Sequence, residues 1–286
     1  MKEQDKVKAR VVTHSVSSAG QEVVTIEHES PRINHSEFLR HRQFSNCVAS
    51  SRAIPCKTMR KNIRANMFIP WYWGKEESGM QATEEVGKLA QKVLRVSWKL
   101  NANVNLFFSW WYEKLGLHKQ LANRNTEYIS YIKVCTTTTS LDNFMKLRDD
   151  DAAQPEIREL AVKMREAVDA SKPTKLGVGQ WHLPYVPSTI KNGVQFFEGD
   201  LSLREAKLVS ASCVAQTSYR TTDTSLAKAM RITKNLMTSS PPHASPFEAV
   251  LTPYAFGQIG VTAYTLQGVP LSGNSSGWIQ YRHLLT

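Results

Sequence analysis

Two β-branched runs near the start of the chain do most to limit its fold: 7–13, Val-Lys-Ala-Arg-Val-Val-Thr, and 21–27, Gln-Glu-Val-Val-Thr-Ile-Glu. Val, Ile and Thr are stiff at Cβ and sit well on a pleated surface, and Ser-Ser-Ala-Gly between the runs supplies the turn. The spacing predicts a hairpin-like strand pair. A third extended run, 128–139, ends in a row of threonines that also favour strand.

Helical signals follow the strands. A helix is expected from His35 through His41, and a basic helix or turn over 57–64 after Pro55. The tract 67–80, rich in aromatics and glycine, reads as a loop tied down by its own rings. Thr83 with Glu84 and Glu85 reads as a helix start, and Val86, Leu89, Ala90, Val93 and Leu94 recur at helical spacing. That helix is expected to reach Gly116 with a long apolar face, with a second helix over 117–124. A short amphipathic helix spans 141–148 and ends in the acidic loop 149–151. Pro155 suits the first turn of the next, whose buried stripe is Ile157, Leu160, Ala161, Met164 and Val168. Lys172-Pro173 stops it, and 174–199 reads as a linker or irregular crossing. Ser202 and Glu205 have capping-box spacing for a helix to about Ala215. Thr224 is expected to cap a last helix with Leu226, Ala229, Met230, Thr233 and Met237 inward. The tail is strand-like, punctuated by Gly257, Gly260, Gly268 and Gly273.

The expected class is therefore α+β, with short mixed or antiparallel sheets packed against several long helices. With 286 residues and 41% hydrophobic content the chain can bury one large core, so 1–286 is read as one domain. A sub-boundary is placed near 172–200, without separately folding halves.

A formal net charge of +11 points to anionic partners. Because the charge is spread along the chain, small anions such as nucleotides, dinucleotides and folates are favoured over nucleic acid. The four cysteines show no Cys-x-x-Cys spacing, which argues against structural zinc and a disulfide framework. No apolar run approaches a membrane span, and no apolar secretion signal follows Met1. The expectation is a cytoplasmic protein, in a host cytoplasm if phage-encoded, with no metal, membrane or stable nucleic-acid partner.

The densest chemistry lies in 40–52, Arg-His-Arg-Gln-Phe-Ser-Asn-Cys-Val-Ala-Ser-Ser-Arg. It gathers three guanidinium groups, an imidazole and three hydroxyls, while Phe44 and Val48 can anchor it to a core. Planar guanidinium forks and hydroxyls suit phosphate or carboxylate, so the segment reads as a phosphate-and-base cradle. The competing reading is an amphipathic surface segment of a basic protein.

Arg40-His41-Arg42, then seven residues, then Ser50 and Arg52, resembles the signature of the flavin-dependent thymidylate synthases. Asn143-Phe144-x-x-Leu147-Arg148 followed by Ala153-Gln154-x-Glu156-Ile157-Arg158 resembles that family's second block, and His243-Ala244-Ser245-Pro246-Phe247-Glu248 its third. The stretches 50–55, 73–75, 79–82 and 277–282 look like the longer, phage-type branch. The order is permuted: the third block, which comes first in the short form, here follows the Arg-His-Arg block by about 200 residues, as a circular rearrangement would give.

The resemblance implies reductive methylation of dUMP to dTMP, with methylenetetrahydrofolate as carbon donor and FAD, reduced by NADPH, as hydride source. It implies a homotetramer whose active sites draw on several subunits. By position, Arg40, His41 and Arg42 would bind flavin, with Arg40 also near the nucleotide, and Ser50 and Arg52 would hold the dUMP phosphate and sugar. Arg148 would act at the pyrimidine, where a cation stabilises charge developing on a carbonyl oxygen. Asn143 and Ser245 would line the FAD site beside His243 and Glu248. Alone, Arg148 reads equally as the C-terminal cation of a short helix. Glu156 and Arg158 read as structural ion-pairing residues.

Several positions depart from the family pattern. Cys47 stands where the signature has Asn, with Asn46 displaced by one; Val48 replaces an acidic residue, Ala53 a tyrosine and Ala249 a histidine. Thr137 and Thr139 occupy the places of an Asn and an Arg. The nucleotide-binding arginine of the short form has only Lys119 or Arg124 as stand-ins. Cys47 reads either as a thiolate favoured by Arg42, Arg52 and His41, or as a small apolar substitute. The altered pocket keeps a second chemistry open, hydroxymethylation or action on dCMP. A basic nucleic-acid-binding protein, using cations and aromatics at 60–73, is the non-enzymatic alternative.

Overall fold

The computed structural model describes residues 3–79, 81–218, 221–254, 271 and 273–285. Its strands are β1 (Lys8–Ser17), β2 (Glu22–Pro31), β3 (Ser45–Val48), β4 (Tyr131–Thr138), β5 (Thr174–Leu176), β6 (Ser188–Lys191), β7 (Val194–Phe197), β8 (Leu251–Pro253) and β9 (Trp278–Gln280). Its helices are α1 (His35–Phe38), α2 (Cys56–Ala65), α3 (Lys88–Lys114), α4 (Lys119–Ala122), α5 (Asp142–Arg148), α6 (Pro155–Asp169), α7 (Leu203–Ala215) and α8 (Leu226–Thr238).

The predicted hairpin is the spine of the molecule. β1 and β2 pair antiparallel, Val11 opposite Ile26 and Val16 opposite Glu22, with a register shift between Val11 and Thr13. Gly20 closes the turn at φ +82°, a conformation that suits a residue without Cβ. β4 adds to β2 and β3 to β4, both antiparallel, while β5 joins β1 in parallel, giving the order β3-β4-β2-β1-β5. The fold is α+β around this mixed sheet.

Alternation along the strands gives the sheet two apolar faces. On one, Val24, Ile26, Ile132 and Val134 meet Leu160, Ala161 and Met164 of α6 and Phe144 of α5. Burying each of the larger side chains contributes about 1.5–3 kcal/mol. On the other, Cys47 and Cys135 meet Val214 of α7 and Ala249. His182 pins that face: its Nδ1 lies 2.9 Å from Ser15 Oγ and its Nε2 2.8 Å from Thr25 Oγ1. A second core forms where α7 and α8 enclose Trp181, Leu183 and Phe247. The capping box at Ser202 and Glu205 is made in full.

Four sequence expectations need correction. The helix starting near His35 stops at Phe38, so Arg40 and His41 lie in turns beyond it. α3 starts at Lys88 rather than at Thr83, because 83–86 runs extended against 73–75: Lys75 N–H donates to Glu84 O at 2.8 Å and Val86 N–H to Trp73 O at 2.9 Å. Glu77, not the start of a helix, takes up the Thr83 and Glu84 amides. The stripe Leu89, Val93 and Leu94 faces outward, whereas Ala102, Leu106 and Ser109 are buried. α8 is N-capped at Ser225, one residue after Thr224, and leaves Met230 and Met237 exposed while Ala229 and Thr233 are buried.

The region 174–199 is better built than a linker. β5 extends the main sheet, pairing Thr174–Leu176 in parallel with Ser15–Ser17 of β1. β6 and β7 form a hairpin turned by Asn192 and Gly193 at φ 50° and 78°, the pairing that tight hairpin turns favour. Gly257, Gly260 and Gly268 lie outside the described residues.

Candidate functional site

After Phe38 the chain closes two tight turns, His41 N–H donating to Phe38 O at 3.2 Å and Phe44 N–H to His41 O at 3.1 Å. These turns drop Phe44 into the core and leave Arg40, Arg42 and Gln43 exposed. Phe38, Phe44 and Phe144 form an aromatic floor, with centroids of Phe44 and Phe144 5.4 Å apart. His41 rests on it edge-to-face, 4.9 Å from Phe144.

α5 delivers the second part of the site. Helical spacing buries Phe144 and keeps neighbouring Asn143 exposed. One turn after Phe144, Arg148 places Nε 3.4 Å from His41 Nε2, while one terminal nitrogen lies 3.4 Å from Glu37 Oε2. A cavity of about 260 Å³ opens between the two segments, lined by Arg40, His41, Arg42, Asn143, Ser140 and the phenyl rings. Residues a hundred positions apart in sequence thus share one wall.

The electrostatics follow from the geometry. Burial lowers the His41 pKa, and the positive charges of Arg148 and Arg40 lower it further, so the ring is neutral at neutral pH. Arg148 can only donate, so Nε2 accepts and the proton sits on Nδ1. Arg148 has Glu37 as counter-ion. Among the described residues, the Arg40 and Arg42 guanidinium groups and the Asn143 amide have neither ion pair nor hydrogen bond. They stand as donors aimed at solvent.

Ser50 and Arg52 lie elsewhere. They follow the far end of β3, a strand whose four residues span about 13 Å. Their loop is fixed by Asn123, whose Nδ2 donates to Ser51 O at 2.8 Å and Ile54 O at 2.9 Å, and by Ser51 Oγ on Glu127. Lys119 Nζ donates to Ala53 O, and Arg124 pairs with Glu127. The two stand-ins for the missing nucleotide-binding arginine therefore border this loop.

The third block packs on the opposite face of β3 from the cavity. His243 and Ser245 are exposed, and Glu248 forms an ion pair with Arg282. Blocks nearly two hundred residues apart do meet within one chain, since Ala249 touches Cys47. His243, Ser245 and Glu248 are nevertheless not among the residues that line the cavity with Arg40, His41 and Asn143.

Cys47 also faces away from the cavity. Burial raises its pKa well above the ordinary thiol value, and Cys135 and Glu248 raise it further. This overturns the favoured-thiolate reading and leaves Cys47 as a small apolar residue. Asn46 accepts from Thr136 Oγ1 at 2.7 Å, Thr137 is bound to Thr25, and Thr139 accepts from the Ser276 amide. These positions have structural work. Arg158 pairs with Asp151, as read from the sequence, but the nearest partner of buried Glu156 is the Gln154 amide, not a cation. Burial accordingly raises the Glu156 pKa. The tract 67–79 is tied down as expected, by buried Phe68 and by Tyr72 Oη on Ala82 O.

Sequence reasoning missed Glu37, which carries no motif signal, and the closeness of Arg148 to His41. It also missed Asn274, whose side chain reaches Arg42 O and accepts from Ser45.

No protein-family profile matches the chain, and no curated protein matches it. Among solved structures, a UMP/dUMP methylase, PolB from Streptomyces cacaoi, resembles it. Bound with 5-Br dUMP it shows 17% identity and a TM-score of 0.46, over 57% of this chain and 89% of that one. Bound with 5-Br UMP it shows 14% identity and a TM-score of 0.49, over 57% and 88%. No activity follows from likeness at that level.

Proposed function

We propose that the protein is a flavin-dependent thymidylate synthase, converting dUMP to dTMP with methylenetetrahydrofolate as carbon donor and FAD, reduced by NADPH, as hydride source. The observation that carries this reading is the convergence of Arg40, His41, Arg42 and Asn143 on one cavity, with Arg148 placed against His41. These are the residues that the two sequence blocks single out, and the fold unites them.

The residues present fit a flavin dinucleotide in kind. Two guanidinium groups without acidic partners suit a diphosphate, and the Asn143 amide suits a ring edge. The cavity's roughly 260 Å³ is slightly below the usual ligand-pocket range of about 300–1,000 Å³, so one chain encloses part of such a ligand. The reading therefore includes self-association, with a homotetramer as the expected state. Bound FAD would supply the hydride. The protein's own part is to bind and orient: Arg40 and Arg42 hold phosphate, neutral His41 presents a donor without adding charge, and Arg148 faces the pyrimidine carbonyl as negative charge develops there. Ser50 and Arg52, beyond the other end of β3, hold the nucleotide phosphate and sugar.

The test is an absorption spectrum after incubation with FAD and desalting, then incubation with dUMP or dCMP and mass analysis. Flavin absorption bands that survive desalting, and a gain of one methylene on dUMP only, are expected. A colourless protein defeats the flavin reading. Product from dCMP, or a gain that includes an extra oxygen, moves the assignment to the alternative pyrimidine chemistry.

A further inference from the structure

The feature that the site leaves unexplained is α3. Over Lys88–Lys114 its length is about 40 Å, yet among its residues only Ala102, Leu106 and Ser109 are buried. Its inward stripe runs through Trp98, Ala102 and Ser109. Two residues out of phase with that stripe, and so on the opposite side of the helix, lies another. Leu89, Val93, Val96, Leu100, Asn103, Phe107 and Trp110 alternate spacings of four and three without a break. Leu89 is 78% exposed, Val96 67%, Leu100 66% and Phe107 52%. This is a heptad seam with one polar position, Asn103, near its middle.

We infer that α3 pairs with α3 of a second copy of this chain, antiparallel, through this seam. A monomer has no use for six large apolar side chains in strict heptad register on its outer face. The occupant follows from shape and charge. The first half of the seam is aliphatic and the second aromatic. Antiparallel pairing with Leu100 opposite Asn103 of the second copy sets Val96 against Phe107 and Val93 against Trp110. Parallel pairing would stack Phe107 on Phe107 and Trp110 on Trp110. The first half of α3 also carries Lys88, Lys92, Arg95 and Lys99 with no acidic residue, while the second half holds Glu113 and Lys114. Parallel alignment would run the cationic halves side by side, and antiparallel alignment separates them and opposes the helix dipoles. Six such side chains covered at these exposures remove about 600 Å² per copy, near the roughly 800 Å² of a stable interface before flanking Val104 and Trp111 are added.

This pairing gives a specific face to the self-association in the functional reading, yet its test is independent of flavin. Light scattering on the purified full-length chain is expected to show a dimer or a multiple of it. Leu100→Lys, at an exposed position, is expected to raise the dissociation constant at least about 100-fold with an unchanged circular dichroism spectrum. Under mild oxidation the double variant Val96→Cys/Phe107→Cys forms linked dimers. Val96→Cys alone, and the wild type with its native cysteines, do not. A wild-type monomer at tens of micromolar overturns the proposal whatever else covers the helix. Linkage by Val96→Cys alone would establish parallel pairing and overturn it equally. If association is found and flavin is not retained, the pairing stands and the enzymatic reading falls.

Discussion

Two histidines sealed into the sheet set the acid limit of the fold. His28 is 2% exposed and His182 fully enclosed. Burial lowers the pKa of each to about 3, with a further push from His35 on the first and His14 on the second. In the unfolded chain both titrate at about 6.5. Below that pH the unfolded state binds protons that the folded state refuses, so stability falls as pH falls. At about 1.36 kcal/mol per pH unit for each proton, lowering the pH from 7 to 5 removes about 2 kcal/mol per histidine and about 4 in all. That is a large part of the roughly 5–15 kcal/mol available to a typical domain. Glu29 and Glu156, whose pKa values burial raises, gain stability on acidification and reduce the net loss. Urea unfolding followed by tryptophan fluorescence at pH 7, 6 and 5 measures the slope. His182→Gln should roughly halve it, while weakening the fold at pH 7 through the contacts to Ser15 and Thr25. Equal unfolding free energies at pH 7 and 5, or a buried imidazole resonance titrating near 6.5 in the folded protein, would refute the reasoning.

Two further outcomes are expected. Arg148→Gln should lower dUMP turnover by about 100-fold, the scale for losing one preorganised charge donor, with Arg148→Lys intermediate because the planar fork is lost. The same substitution removes a cation from His41, whose pKa should rise toward the ordinary value in an NMR titration; an unmoved His41 resonance would contradict the contact. Glu156→Gln should raise the melting temperature at pH 8 and leave it unchanged at pH 4. The folded state disfavours the Glu156 carboxylate, so stability is lost as pH rises through the carboxyl range and above, and a neutral amide abolishes that loss. A lower melting temperature at pH 8 would show the charge to be compensated.

Local signals were legible where local physics decides. The β1–β2 hairpin, the capping box at Ser202, Pro155 at a first turn and the stripe Ile157 to Met164 all follow from rules within a few residues, and all are present. The cradle was legible as a set of donors, and its partner segment as a motif; their union through Phe44 and Phe144 is tertiary and left no local trace. α3 shows the limit most clearly. Leu89, Val93 and Leu94 have the periodicity of a buried face, and a period states only that residues share a side, not whether that side meets its own core or another chain. Burial decided between the two Cys47 readings in favour of the small apolar one: nearby cations in sequence were neighbours through the backbone, while the side chain alternates to the other face of the sheet.

The position of β3 makes the site divisible. Its N-terminal end carries Arg40, His41 and Arg42, and its C-terminal end carries Ser50 and Arg52. An extended strand cannot fold its two ends onto one ligand, and Ala249 of the third block packs on the Cys47 face of the sheet. One chain therefore presents its donors in three places, and the described cavity lies at the first of them. The loop with Ser50 and Arg52 is clamped by Asn123 and Glu127, in the segment on which the C-terminal half of α3 packs. A contact that fixes α3 against a second copy also fixes the mounting of that loop. If α3 pairs as inferred, association and ligand binding would be coupled through this one segment. On the proposed reading, the outward heptad seam and the small cavity would be two expressions of one design, in which ligand contacts close when copies of the chain come together.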